Sequence, residues 1–341
     1  MPGPLSFGGA ALWFSGFVSP RPPLVGHPGV TDSAHNGPVN NRPRIIGHRG
    51  APAVFPEHTP ASYRAAFAAG VDFVEPDVVP TRDGVLAVIH EPRLDDTTDI
   101  ASRPEFASRF TRKRAGRIAA SGWFVEEFNW DELRTLRGIE RWPELRPASA
   151  AHDGEEGMLR LRELVELTSA EAPGVGLVIE LKHDARTLRL GFDYVELLRA
   201  ELDGLWDAPA LAELRWESFE VPVLQRLRDA GLPGKRIQLV EDGRGRLDEE
   251  EGPARLTAEG LAEVGEWANG ISVRCEVLTR DLVDQAHALG LEVFAYTLRL
   301  EERFLPTAFA GDAAGWVRYL ADTGVDVLFA DDPAAVRVLL G

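Results

Sequence analysis

The fold is decided by residues 44–50, RIIGHRG, an apolar run that ends in a histidine, an arginine and a glycine. The apolar part predicts a buried β-strand, and the glycine after it is a turn signal. An open doubly wound sheet usually carries a glycine-rich phosphate loop after its first strand. Here His48 and Arg49 follow the strand instead. The stretch therefore favours a different parallel α/β architecture, with polar side chains at the end of a central strand.

Short β-branched runs recur after this strand and alternate with helical patterns. Strands that alternate with helices predict right-handed crossovers and a parallel sheet. The predicted strands lie at 44–47, 73–78, 176–181, 214–218, 236–240, 270–273, 292–297 and 325–330. The predicted helices include 60–69, 222–230, 258–267, 280–288 and 313–323. We therefore expect an α/β fold, a closed (β/α)8 TIM barrel.

The chain predicts one large domain with two additions. Residues 1–43 are rich in proline and glycine, show no regular period, and predict a disordered extension. Residues 44–341 form the domain, which residues 99–150 interrupt as an irregular insertion. Without these additions the length is close to the roughly 250 residues of a typical TIM barrel. We expect the insertion to form a small helical cap; the alternative is a lid that helps to select a leaving group.

Composition excludes some partners. The chain has 54 acidic and 37 basic residues, a formal charge of −17, which argues against nucleic acid or an anionic membrane surface. No run of eighteen apolar residues exists, so no stable membrane insertion is expected. Cys275 is the only cysteine, which excludes an intramolecular disulfide and fits a reducing compartment. We expect a cytoplasmic protein, with export as the alternative; the sequence leaves the oligomeric state open.

The second predicted strand, 73–78, continues into a hairpin. A turn signal with a glycine separates it from another apolar run, and the gap is too short for a helical crossover. A two-residue turn would pair Glu75 with His90 and Asp77 with Val88, subject to a one-residue bulge. The hairpin therefore predicts a histidine beside two carboxylates.

These carboxylates predict a cation site. Glu75 and Asp77 lie two positions apart on one strand face, in the half of the strand that points to the mouth of a barrel. Clustered acids repel each other unless a cation lies between them, and Mg²⁺ and Ca²⁺ prefer oxygen ligands. Glu180, at the end of the third predicted strand, can complete the metal shell.

Three basic side chains should reach the same mouth. His48 and Arg49 follow the first strand, and Lys182 follows Glu180 by two positions. The guanidinium of Arg49 offers a planar fork that suits phosphate oxygens, and Lys182 can meet the phosphate. The alternative for Arg49 is a structural ion pair with Glu57 or Glu75. Convergence of polar residues from the ends of three strands predicts an active site.

The same residues resemble the glycerophosphodiester phosphodiesterases, in the branch related to the bacterial periplasmic enzyme. The resemblance covers about residues 44–341, is most specific at the front, and is weak between 99 and 172. The matching stretches are GHRG at 47–50, PEHT at 56–59, EPDV at 75–78, TRDG at 81–84, ELK at 180–182 and YTLR at 296–299.

The resemblance implies a barrel of the phospholipase C-like phosphodiesterase type and a divalent cation, Ca²⁺ or Mg²⁺. It implies hydrolysis of glycerophosphodiesters to sn-glycerol 3-phosphate and an alcohol, with His48 and His90 as the acid/base pair. The other implied roles are metal binding by Glu75, Asp77 and Glu180, and substrate or phosphate binding by Arg49, Lys182 and Tyr296.

The chain departs from the pattern at two positions. Glu91 follows His90 where the family usually has Asp, which could alter the orientation of that histidine. His58 stands where Asn is common, a change that we expect to be harmless.

We expect the glycerol 2-hydroxyl to attack phosphorus, one histidine to remove its proton and the other to protonate the departing alcohol. The alternatives are a lysophospholipase D-like phosphodiesterase, which needs an apolar groove for the acyl chain, and a non-catalytic phosphate-binding barrel.

Overall fold

The computed structural model describes residues 42–115, 118–240 and 255–341. The extension predicted for residues 1–43 lies outside this description except for Arg42 and Pro43. The strands in chain order are β1 Arg44–His48, β2 Phe73–Glu75, β3 Asp77–Pro80, β4 Leu86–Val88, β5 Thr111–Ala115, β6 Ile118–Gly122, β7 Gly176–Leu181, β8 Arg215–Ser218, β9 Lys235–Val240, β10 Gly270–Arg274, β11 Glu292–Leu298 and β12 Val327–Ala330.

Eight parallel strands close into a ring. The order around it is β1, β2, β7, β8, β9, β10, β11 and β12, and β12 pairs with β1 again. The seam between β2 and β7 is made by Phe73 opposite Gly176, and Pro76 separates β2 from its continuation β3. The predicted (β/α)8 barrel is therefore confirmed, and each predicted strand corresponds to one barrel strand.

Helices follow the barrel strands along the chain, as expected for right-handed crossovers. Threonine caps begin several of them: Thr59 Oγ1 accepts a hydrogen bond from the Ser62 backbone at 3.2 Å. In the described part of the chain, no helix is long and apolar enough to cross a membrane. The α-helices are α1 Pro60–Ala68, α2 Trp130–Leu133, α3 Pro147–Ala150, α4 Leu161–Glu171, α5 Asp184–Arg189, α6 Tyr194–Glu201, α7 Val221–Asp229, α8 Ala258–Gly265, α9 Arg280–Ala288, α10 Ala313–Asp322 and α11 Pro333–Leu340.

Two apolar layers hold the barrel together. Alternate side chains of the strands point outward against the helices, where they join a large buried cluster that includes Val74 and Leu224. The other side chains form a smaller cluster drawn from strands all around the ring. We call it the interior layer; its buried members are Ile46, Phe73, Val178, Ile237, Phe294, Val327 and Phe329.

The hairpin register differs from the prediction by one residue. Val78 pairs with Val88, so Asp77 does not, and the backbone N–H of Ile89 donates to the Asp77 carbonyl at 3.0 Å. Glu75 and His90 are likewise not paired. The reason is the turn, which has three residues because Gly84 adopts a left-handed conformation with φ of 79°. A glycine in that conformation permits a three-residue hairpin loop with a bulge.

The insertion is not the helical cap that we expected. It contains short 3-10 turns, two α-helices of one turn each, α2 and α3, and the two-stranded sheet of β5 and β6. Residues 116 and 117, between these two strands, lie outside the described residues. Glycines at 116 and 122 disfavour a continuous helix through this stretch, which accounts for the difference.

Candidate active site

The alternation of side chains along the strands builds the site above the interior layer. In β1, Ile46 belongs to that layer, so His48, two residues later, points inward at the carboxyl end of the strand. In β8, the Arg215 guanidinium lies 4.5 Å from the ring centre of Phe73 and therefore points inward. The same rule places further polar residues on the inward side at this end of the barrel, among them Glu75, Glu180, Glu217, Arg274, Tyr296 and Asp331.

His48 forms a dyad with Asp331. Its Nδ1 lies 2.6 Å from Asp331 Oδ1, and both side chains are buried. Although burial opposes ionisation, Arg299 and His48 hold the pKa of Asp331 well below its usual range. An ionised carboxylate only accepts hydrogen bonds, so Nδ1 donates and Nε2 carries the lone pair. Burial and the neighbouring Arg49 lower the pKa of His48 to about 3, against the opposing effect of Asp331.

His90 forms a second dyad, with Glu91. Nδ1 of His90 lies 2.6 Å from Oε1 of Glu91, so the longer side chain that replaces Asp still reaches the imidazole. Partial burial and Arg49 lower the pKa of His90 to about 4. Although burial opposes it, His90 and Arg141 hold the pKa of Glu91 well below its usual range. The two dyads thus have the same polarity, with Nδ1 on a carboxylate and Nε2 as the basic nitrogen.

Three buried glutamates lie together at the same end. Carboxylate oxygens of Glu75, Glu180 and Glu217 all lie within 4.8 Å of one another. Glu180 and Glu217 occupy paired positions of β7 and β8. Burial and the nearby Asp77 raise the pKa of Glu75, and burial and Glu180 raise that of Glu217. Burial likewise raises the pKa of Glu180 to about 7, although Lys182 opposes this effect.

Asp77, which we predicted as a metal ligand, is surrounded by cations. Lys182 Nζ lies 2.9 Å from its Oδ1, and Arg49 Nε lies 3.2 Å from its Oδ2. His58 Nε2 also lies 2.9 Å from Oδ2, so the residue that replaces Asn is part of the site. Although burial opposes it, Lys182 and His90 hold the pKa of Asp77 well below its usual range. Lys182 also contacts Glu180 Oε2 at 2.6 Å, which links Asp77 to the three glutamates.

Arg49 affects both dyads. Its charge acts on the pKa of both His48 and His90. The structural ion pair that we weighed as an alternative is present, because Nη1 lies 3.0 Å from Glu57 Oε1. The backbone of Arg49 adopts a left-handed conformation with φ of 58°, and its N–H donates to Glu75 Oε2 at 3.1 Å. Such a conformation in a non-glycine residue costs about 1–3 kcal/mol and is frequent at functional sites.

Tyr296 lies on the inward face of β11, at the same end of the barrel. Its hydroxyl donates to the Val240 carbonyl at 3.0 Å. Its ring packs edge-on against Phe219, with centroids 5.9 Å apart, and against Phe329. The predicted substrate contact of Tyr296 stays a prediction, as do the roles of the other predicted residues.

Sequence reasoning missed five polar residues that complete the site. Glu217 and Asp331 could have been found, since each follows an apolar or aromatic strand residue in the way that Glu180 does. Arg141 and Arg146 gave no local signal, because they come from the irregular insertion, whereas Arg299 lies in the matching stretch at 296–299 but received no role. The missed residues are Arg141, Arg146, Glu217, Arg299 and Asp331.

Comparison with known proteins decides the family. Residues 48–335 match the glycerophosphoryl diester phosphodiesterase family. The chain belongs to this family. The matched range includes all the polar residues of the site, from His48 to Asp331.

Individual members of the glycerophosphoryl diester phosphodiesterase family agree with this assignment. The chain is 26% identical over 338 residues to glycerophosphodiester phosphodiesterase GDPD6 of Arabidopsis thaliana, covering 91% of this chain and 89% of that protein. A protein solved as a glycerophosphoryl diester phosphodiesterase of Silicibacter pomeroyi is 25% identical, with a TM-score of 0.66, over 88% of this chain and 93% of that one. An Oleispira antarctica phosphodiesterase, solved with sn-glycerol-3-phosphate, shares the fold at 20% identity and a TM-score of 0.62, over 88% and 97% of the two chains.

Proposed function

We propose that the chain hydrolyses glycerophosphodiesters to sn-glycerol 3-phosphate and an alcohol, with His48 and His90 as its acid/base pair and a divalent cation. The observation that carries the proposal is the presence of two histidine–carboxylate dyads and a buried glutamate cluster at one end of the barrel. Active sites of TIM barrels lie at this carboxyl end of the strands. Family membership supports the substrate class.

The glutamate cluster fits a divalent cation. Glu217 is 1% exposed, and its Oε2 has no hydrogen-bond partner among the residues that the structure describes. An unpartnered buried carboxylate oxygen is costly, and a cation beside it would remove that cost. The cluster offers only oxygen ligands, which Mg²⁺ and Ca²⁺ prefer. We assign Glu75, Glu180 and Glu217 to the cation, with Asp77, the first residue of β3, as a further ligand. When bound, the cation would supply positive charge that polarises the phosphoryl group and lowers the pKa of a bound hydroxyl.

Lys182 and Arg49 would hold the phosphate. Both are buried cations that carry ion pairs with Asp77. Arg49 Nε makes no hydrogen bond within the described part of the chain, although it lies near Asp77. A phosphate oxygen would provide the missing acceptor, and the guanidinium fork suits such a bidentate contact. Tyr296, at the same end of the barrel, would contact the substrate beside them.

The dyads supply the proton transfers. Because Nδ1 of each imidazole is held by a carboxylate, Nε2 is the nitrogen that can exchange a proton with the substrate. One histidine removes the proton of the glycerol 2-hydroxyl as this oxygen attacks phosphorus, and the other protonates the leaving alcohol. Water then opens the cyclic phosphate with the two roles reversed.

The acid of the first step must be protonated before it can act. Burial and Arg49 lower the pKa of both histidines, which favours their neutral, basic form. The negative charge of a bound phosphodiester acts in the opposite direction and raises the pKa of a neighbouring imidazole. The carboxylate on Nδ1 stabilises the imidazolium that then forms, so one protonated and one neutral histidine can coexist in the substrate complex.

Release of glycerol 3-phosphate from glycerophosphocholine tests the proposal. We expect release by the purified chain, its loss after treatment with EDTA, and its recovery after Ca²⁺ or Mg²⁺ is added back. Release that persists undiminished in EDTA would contradict the role of the cation. Binding of the metal-loaded chain to glycerophosphocholine without hydrolysis would favour a non-catalytic barrel, and faster turnover of lysophosphatidylcholine would favour the lysophospholipase D-like alternative.

A further inference from the structure

The insertion contributes two arginines to the active site. Arg141 and Arg146 lie in one short segment before α3, and their side chains are only 12% and 3% exposed. Each guanidinium contacts the carboxylate of one histidine dyad. The insertion therefore reaches both dyads through a single stretch of backbone.

Arg141 forms two hydrogen bonds to the carboxylate of the His90 dyad. Its Nη1 lies 3.2 Å from Glu91 Oε1, and its Nη2 lies 2.8 Å from Glu91 Oε2. This fork restricts rotation of the carboxylate, because two parallel hydrogen bonds fix its plane. Oε1 is also the atom that receives Nδ1 of His90. Glu91 has one more rotatable bond than the aspartate that the family usually carries here, and the fork offsets this freedom.

Arg146 contacts the carboxylate of the His48 dyad at one oxygen. Its Nη2 lies 2.5 Å from Asp331 Oδ2, an atom that Arg299 Nε also contacts at 2.8 Å, while Oδ1 of that aspartate receives Nδ1 of His48. Its Nε lies 2.7 Å from Glu301 Oε1, which fixes the guanidinium from its other side. The two dyads thus share one pattern, in which an arginine holds a carboxylate that holds an imidazole.

The segment that bears both arginines is itself fixed. Trp142 lies between them, with its indole centre 5.7 Å from the guanidinium carbon of Arg141 and 5.2 Å from that of Arg146. Glu140 accepts a hydrogen bond from the Trp142 backbone at 2.8 Å and one from Ser149 Oγ at 2.6 Å. These contacts hold the segment in place and so fix the positions of both guanidinium groups.

We propose that the insertion positions both catalytic histidines: Arg141 orients His90 through Glu91, and Arg146 orients His48 through Asp331. The proposal rests on the proposed function, which gives the two histidines their roles. Both arginines are positioning residues, since they contact carboxylates and not the histidines themselves. Loss of either should slow the chemical step and leave substrate binding little changed.

A double-mutant cycle tests the Arg141 link. We expect Arg141→Met to lower kcat for glycerophosphocholine by about 10- to 100-fold, the usual effect of losing an outer-shell partner, with KM changed by less than about twofold. Glu91→Gln should have a similar effect, and the double variant should be no slower than Glu91→Gln alone. Losses that multiply, or a rise in KM without a fall in kcat, would overturn the proposal.

The matching cycle for the other dyad combines Arg146→Met with Asp331→Asn, and the same non-additivity is expected. Because Arg146 is buried, Arg146→Lys is the second variant if the first does not fold, as judged by thermal unfolding. Arg134→Met is the control: it removes the same charge from the insertion, but its side chain is 63% exposed and its Nη1 lies 3.7 Å from Asp131 Oδ1. The control should keep the wild-type kcat; an equal loss in the control would overturn the proposal.

A measurement without turnover separates this proposal from the proposed function. In ¹⁵N-histidine-labelled protein, each Nδ1–H bound to a carboxylate gives a downfield proton signal, which His48→Gln and His90→Gln assign. Arg141→Met should shift the His90 signal alone, and Arg146→Met the His48 signal alone. Selective shifts in a chain that does not hydrolyse glycerophosphocholine would uphold the positioning and refute the function. Unshifted or jointly shifted signals in an active enzyme would refute the positioning.

Discussion

Glu180 and Glu217 occupy paired positions on the adjacent parallel strands β7 and β8, so two buried carboxylates face each other at the carboxyl end of the barrel. Burial and the charge of Glu180 raise the pKa of Glu217, and burial raises the pKa of Glu180 to about 7. A folded chain keeps such a pair when something else offsets the repulsion. In our account the divalent cation does so.

The first prediction concerns Glu217. Glu217→Gln should weaken Ca²⁺ and Mg²⁺ binding by at least about tenfold, because it removes one charged oxygen ligand from the site. The same change should stabilise the metal-free protein, since it removes a buried carboxyl whose ionised form is repelled by Glu180. Isothermal titration with each cation measures the affinity. Urea unfolding in the presence of EDTA measures the stability of the metal-free protein. Glu259→Gln, on the exposed face of α8, is the control; equal affinities for all three proteins would exclude Glu217 as a ligand.

The second prediction concerns pH. In the metal-free cluster, burial and neighbouring carboxylates raise the pKa values of all three glutamates, that of Glu180 to about 7. The cluster therefore binds protons more readily than free carboxyls do. A cation must displace these protons, so its affinity should rise with pH, by roughly tenfold or more between pH 6 and 8. Titrations in buffers of different ionisation enthalpy would count the released protons. An affinity that is flat or falls with pH would mean that the cluster does not hold the cation.

The third prediction concerns the attacking group. A 2-deoxyglycerol analogue of glycerophosphocholine should bind with similar affinity but should not be hydrolysed, because it lacks the oxygen that attacks phosphorus. Choline release and competitive inhibition of the normal substrate measure turnover and binding separately. Turnover of the analogue at the normal rate would show that water attacks directly.

The fourth prediction separates stability from activity. Arg215 is 2% exposed at the amino end of β8, where Nε lies 3.2 Å from Glu292 Oε2 and the guanidinium lies over Phe73. Arg215→Ala should lower the free energy of unfolding by about 3 kcal/mol, the cost of breaking a buried ion pair. Its cation affinity should be unchanged, since the residue lies at the opposite end of the strand from the site. A loss of cation affinity without a change in urea unfolding would contradict the separation of a structural amino end from a functional carboxyl end of the barrel.

Much of this architecture was predictable because local patterns determine it. Apolar β-branched runs alternate with helical patterns, so the eight strands could be placed, and helix α9 was predicted with the bounds that the structure has. The inward polar residues of β1, β2, β3 and β7 followed from the period of two along a strand. Glu217 obeys the same rule in β8, which we predicted as a strand, but we assigned it no role.

The rest depends on distant parts of the chain. The predicted hairpin register is wrong by one residue because Gly84, in a left-handed conformation, lengthens the turn by one residue. The sequence shows only that a glycine is present, not which turn it forms. His48 and Asp331 are 283 residues apart and meet because β1 and β12 close the barrel. Arg141 and Arg146 reach the dyads from an irregular insertion, whose path no periodicity describes. Long-range ion pairs of this kind require the structure.

The most direct test of the central claim is the dependence of each histidine variant on the leaving group. His48→Gln and His90→Gln should both lose about 10²- to 10⁴-fold in kcat/KM for glycerophosphocholine. A 4-nitrophenyl ester of glycerol phosphate has a leaving group that needs no proton. With this substrate, the variant that lacks the acid should recover most of its lost kcat/KM. The variant that lacks the base should not recover. The predicted result is that the nitrophenyl substrate rescues one variant and not the other. Rescue of both variants, or near-wild-type hydrolysis of glycerophosphocholine by either one, would contradict the assignment of His48 and His90 as the acid/base pair.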